Sequence, residues 1–144
     1  MKVPEASIVQ VITEASPHMS EPKYITARVE RLMRAQPSIC QYLMSFQKEL
    51  GVEGAVSVLF YASLVEDAVT AAGGRSPARV GYPELDQAAR TVPGIEDLAR
   101  MEPELASFIA SNVELDAAGT VVAQRVLAHV AQALVASMQP KVVS

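Results

Sequence analysis

Apolar residues recur along this chain at steps of three and four, and prolines and glycines punctuate the runs. Ile8, Val11, Ile12 and Ala15 form one such set, and Ile25, Val29, Leu32 and Met33 form another. That spacing places each set on one face of a helix. Ile39, Leu43, Phe46 and Leu50 continue the pattern up to Gly51, which can take the left-handed conformation that closes a helix. Proline loses nothing in a first helical turn, because the N–H that it lacks would be unpaired there. Pro4, Pro22, Pro37, Pro83 and Pro103 therefore read as helix starts, and Pro17 and Pro140 read as stops. The pattern predicts helices from residue 5 to Pro17, from Pro22 onward, over 37–50 and over an apolar 53–72. Beyond Gly73 it predicts 83–92, a short helix ending at Met101, 103–112, and a long last helix over 117–138. The stretch 73–82, rich in Gly, Pro, Ser and Arg, has no periodicity and reads as a flexible linker. No segment reads as a strand.

Displaced by 66 residues, the chain matches itself weakly. Leu32, Arg34, Pro37, Ser45, Val56, Ala62 and Val69 fall on Leu98, Arg100, Pro103, Ser111, Val122, Ala128 and Val135 without a gap. Gln36 falls on Glu102, Tyr42 on Phe108 and Leu43 on Ile109. The expected fold is all-α, an irregular bundle of six to seven helices in one domain over 1–144. Within it, 32–69 and 98–135 are expected to be duplicated hairpins related by a pseudo-two-fold. The two long apolar helices would be the central pair. Val122, Val126, Val130 and Leu134 would form the core stripe of the second, and Arg125, His129 and Gln132 a polar stripe.

Composition narrows the class. The chain has 144 residues, half of them hydrophobic and 19% charged, which is enough to bury a core and excludes disorder throughout. Its single cysteine, Cys40, excludes an intramolecular disulfide. The apolar window 55–65 is flanked by Glu53 and by Glu66 and Asp67, and is short of the roughly 20 residues that span a membrane. The N-terminus does not read as a signal peptide. A cytoplasmic protein with no membrane contact is the expectation.

Candidate chemistry is sparse. Neither His18 nor His129 has a glutamate three residues earlier, so the Glu-x-x-His pattern of di-iron bundles is absent. No metal or cofactor is expected, and both histidines are expected to face solvent. Cys40 lies beside an apolar stripe and reads as a small core residue rather than a nucleophile. Gly73-Gly74-Arg75 lacks the lysine and the preceding strand of a phosphate loop, although Arg75 and Arg79 could meet an anionic partner.

Charge carries what remains. Residues 84–116 hold eight acidic and two basic residues, several of them in first helical turns where the helix dipole favours them. Residues 21–34 carry net +2, with Arg28, Arg31 and Arg34 at steps of three. These arginines are the candidate partner-binding residues, facing an acidic protein surface. The net charge of −4 disfavours nucleic acid. The reading is a non-catalytic interaction module that self-associates as a homodimer. Its alternative is a small-ligand or sensor module with an apolar pocket between the hairpins at Met44, Phe60 and Tyr61. An enzyme is not expected.

Overall fold

Four helices begin on a proline within their first two residues, as the sequence predicts. The computed structural model describes residues 2–139. Its α-helices are α1 (Glu5–Ala15), α2 (Pro22–Ala35), α3 (Pro37–Met44), α4 (Gln47–Gly73), α5 (Tyr82–Thr91), α6 (Ile95–Met101), α7 (Pro103–Asn112) and α8 (Ala117–Ser137). A 3-10 turn at Ser16–His18, which includes Pro17, follows α1. The described residues contain no strand, and the fold is all-helical. The stop expected at Pro140 lies outside them.

Among the described residues there are eight α-helices, as many as the segments read one by one and more than the six to seven expected of the bundle. Gln36 and Glu102 each leave the helical region in front of a proline, with φ near −138° and −136° and ψ near 67° and 72°, and so separate α2 from α3 and α6 from α7. A proline ring crowds the residue before it out of the helical region, which is why the chain breaks there. The third helix is also shorter than 37–50. It ends at Met44, and the turn that contains Leu50 belongs to α4, which bends at Gly51. Gly51 does take the positive φ expected of it, 76°. The apolar steps from Ile39 to Leu50 cross a break at Ser45 and Phe46 that hydrophobic spacing cannot register.

Helices α4 and α8 pack along each other and form the centre. They run in the same direction. Gly54, early in α4, lies against Leu115 just before α8, and Arg75 just past α4 donates to the carbonyl of Met138 just past α8. Around them α1, α2 and α3 pack on α4, while α5, α6 and α7 pack on α8. The two sets are stitched by α1 against α7 and by α3 against α5. Val126, Val130 and Leu134 are fully buried, as are Ile39 and Leu43. Met33 departs from the stripe assigned to it and is 53% exposed, while Leu32 beside it is buried.

Helices α4 and α8 are each long and apolar enough to cross a membrane by length and composition, and most of each apolar stretch is buried among the other helices. The charges expected to close the window do not end α4. Glu66 is buried within it and Asp67 is paired.

The connection between α4 and α5 is strapped rather than loose. Gly74 caps α4 in the left-handed conformation, Val80 is buried, and the side chain of Gln36 holds the backbone of residues 78 and 80. Arg75 and Arg79 are spent on the carbonyls of Met138 and Arg34.

Candidate functional site

The three arginines at steps of three do not form one solvated row. Arg28 turns toward α4, where its guanidinium donates to the Ser63 carbonyl at 3.1 Å and pairs with the Asp67 carboxylate. Ser63 and Asp67 lie one turn apart, so a single guanidinium nitrogen reaches both. The Arg28 side chain is 12% exposed and that of Asp67 is 20% exposed. Arg31, one turn on, reaches the other Asp67 oxygen at 3.3 Å from a position half in solvent. Arg34 is exposed, and its carbonyl accepts from Arg79 at 3.2 Å. Two of the three candidate partner-binding residues are therefore engaged inside the chain. Beside them, burial pushes the Glu66 carboxyl above its ordinary range, against the pull of Arg31 and Arg28. A polar cleft of about 290 Å³ opens between α1, α2 and α4, lined by Gln10, Glu14, Arg28, Arg31, Asp67 and Thr70.

His129 is buried and not solvent-facing. Its Nε2 lies 3.2 Å from the Pro93 carbonyl, which can only accept, so Nε2 carries the proton and donates. Nδ1 then accepts from the Tyr42 hydroxyl at 2.6 Å. Burial lowers the His129 pKa from 6.5, and the neighbouring Arg125 acts in the same direction. Arg125 lies over the Phe46 ring at 5.9 Å from its centroid. The step of four from Arg125 to His129 suggested a shared polar face, but Tyr42 arrives from α3 and closes over the histidine.

Gln36 and Glu102, aligned by the 66-residue offset, do the same kind of work. The Gln36 amide donates to the Ala78 carbonyl and accepts from the Val80 N–H, both at 2.9 Å. Glu102 accepts from the Val3 N–H at 2.7 Å. Both side chains are almost wholly buried, as are Val3 and Val80, and each valine precedes a helix. Sequence reasoning missed both roles. The clue was a long polar residue immediately before a helix-opening proline, where the chain must leave the helix and expose backbone groups that need partners.

Cys40 is buried, and desolvation pushes its thiol up to about 11, with the Glu66 charge adding to the effect. So little thiolate is present near neutral pH that the site is poorly suited to a nucleophile. The acidic residues of 84–116 are partly explained by helix ends. Asp116 accepts from the Gly119 N–H at 2.7 Å and Asp97 accepts from the Gly94 N–H at 3.0 Å. Among the described residues, no three or more of His, Cys, Asp and Glu gather so as to hold a metal ion.

Of the residues expected to line an apolar pocket, Met44, Phe60 and Tyr61 have different surroundings. Met44 is exposed, and Phe60 stacks edge-on with Tyr61, which in turn meets Phe108. The larger cleft lies between α5, α8 and the strapped connection. It has about 440 Å³, with Val80, Pro83, Ala88, Ala133 and Ala136 on its walls and Arg79, Glu84 and Gln132 around them.

No family model matches the chain, and neither a curated protein nor a solved structure matches it.

Proposed function

We propose that the chain is a non-catalytic, self-associating interaction module built from two copies of one four-helix unit. The observation that carries the non-catalytic reading is the engagement of four long polar side chains inside the chain. Gln36, Glu102, His129 and Arg28 each hold one segment of the chain to another. Such groups brace a scaffold, and of the four only Arg28 borders an open cleft, where Asp67 already engages it.

Matched connections support the duplication. α1 lies on α4 as α5 lies on α8, and α1 touches α7 as α5 touches α3. Gln36 and Glu102 share backbone angles, and each latches the segment that leads into the other unit's first helix. Ahead of the repeat at 66, Val3, Ile8 and Val11 align with Val80, Leu85 and Ala88 at an offset of 77. The units are then related by a pseudo-two-fold along the parallel α4 and α8.

Opposite surface charges support self-association as a homodimer. With Arg28 and Arg31 held by Asp67, the exposed cations outside that pairing on this stretch are Lys23 and Arg34, which stand beside exposed Glu21 and Glu30 and so act as single charges rather than as a net basic patch. Glu84, Asp86, Glu96, Glu114 and Asp116 are exposed on the acidic stretch. A two-fold lets each copy set those two cations against the acidic stretch of the other, and the contact closes. Sedimentation of the full chain at low and high salt tests this.

One observation favours a second reading, a small-ligand site. The α5/α8 cleft of about 440 Å³ falls in the size range of ligand pockets, and most of the surface it exposes is apolar although polar side chains share its walls. An apolar fluorescent dye that binds the folded chain, and whose binding is lost in Ala136→Trp, would support it. A dye that ignores that substitution would remove it.

A further inference from the structure

The two clefts described above occupy matching places in the two proposed units. On α1, Gln10, Val11 and Glu14 fall on Gln87, Ala88 and Thr91 of α5 at the offset of 77. On α4, Asp67, Thr70 and Ala71 fall on Ala133, Ala136 and Ser137 of α8 at the offset of 66. What fills the two places differs. The first holds the Asp67 carboxylate with Arg28 and Arg31 upon it. The second has Ala133 for Asp67, Ala136 for Thr70, Ala88 for Val11 and, in the turn before α6, Gly94 for Arg28. Each exchange shortens a side chain, and the second cleft is the larger, about 440 Å³ against about 290 Å³.

The second cleft has also lost the ion pair. Val80, Ala88 and Ala133 are buried and form its floor, with the amides and hydroxyls of Gln87, Thr91, Gln132 and Ser137 around them. The two charged side chains on its walls are turned to the chain itself. Arg79 donates to the Arg34 carbonyl at 3.2 Å, and Glu84 folds toward Gly81, its Oε2 3.2 Å from where a Cβ on that glycine would lie. We propose that the α5/α8 cleft binds a small uncharged molecule with an apolar body and an amide-like or hydroxyl-like edge, a class that rests on the small-ligand reading of this cleft. An ion seated on that floor would give up water against walls whose charges are already engaged, which is costly. A neutral edge meets amides and hydroxyls that can both donate and accept, while the body covers Val80, Ala88 and Ala133.

Alanine-methyl NMR of the full-length chain at neutral pH, titrated with 2-phenylacetamide, phenylacetate and phenethylammonium, compares a neutral probe with an anion and a cation of nearly the same shape. The amide is expected to shift the methyls of Ala88, Ala133 and Ala136 to saturation, with a Kd on the order of tenfold below that of either ion. Ala88→Val combined with Ala136→Thr installs the first unit's residues and should weaken the amide by about tenfold or more. If that double variant does not fold, Ala136→Thr alone makes the same test from an exposed position. An ion that shifts those methyls with a Kd equal to or below that of the amide overturns the neutral class and leaves a small-ligand site standing. Methyls that stay silent toward all three probes, or an amide whose affinity ignores the substitutions, remove the site itself.

Discussion

The Tyr42 hydroxyl lies 2.6 Å from Nδ1 of His129, joining α3 to α8, and the other ring nitrogen of the histidine ties α8 to the turn before α6. One imidazole thus bonds to two segments of the chain. Tyr42→Phe leaves Nδ1 without its donor, and His129→Ala removes both bonds. Each is expected to lower unfolding stability by roughly 1–3 kcal/mol, the range for leaving a buried polar group unsatisfied. Denaturant titration checks the size of each loss. A double variant that loses less than the sum of the two singles would show the coupling directly.

The same site sets a pH dependence. His129 is held neutral in the fold, with its pKa lowered from 6.5 by burial. Its contribution is complete above 6.5 and is lost as pH falls through the folded value. The stability gap between the unmodified chain and His129→Ala should therefore narrow on acidification below that point. Glu66 and Glu102 act in the opposite sense, since their raised pKa values add stability that is present in acid and lost on the way to neutrality.

Arg28 and Arg31 share Asp67 but are not equivalent. Arg28→Ala would leave Asp67 largely buried without its main partner, and a loss of roughly 2–4 kcal/mol is expected. Arg31→Ala, from a side chain 54% exposed, should change stability by less than about 1 kcal/mol. Thermal unfolding of the two single variants makes the comparison, and equal effects would contradict the geometry.

At Gly51 the backbone angles are 76° and 169°, a region that is essentially glycine's alone. A Cβ there would meet nothing within 4 Å, so Gly51→Ala isolates backbone strain. An expected loss of about 1–3 kcal/mol, with helix content unchanged by circular dichroism, checks it.

Helix starts were legible because proline chemistry is local, and the core stripes were legible because burial repeats with the helical period. Gln36, Glu102 and His129 were not, because their roles depend on segments 36 to 99 residues away. Charge spacing also misled at Arg28. Steps of three along α2 rotate around the helix, so Arg28 can turn to Asp67 while Arg34 stays in solvent. The break at Ser45 was hidden because apolar residues stand on both sides of it at helical steps. The α5/α8 cleft could not be foreseen from pattern, since small residues such as Ala133 and Ala136 read as ordinary helix formers.

The central claim is self-association through opposite surface charges, and sedimentation equilibrium of the full chain at micromolar concentration tests it most directly. The informative variant is Arg34→Glu combined with Lys23→Glu, because both residues are exposed and neither is among those paired with Asp67. The account predicts a dimer in the unmodified chain, weakened by added salt, and a folded monomer in the double variant. A unmodified chain that sediments as a monomer at low salt, or a dimer that ignores both salt and the charge reversals, would contradict it.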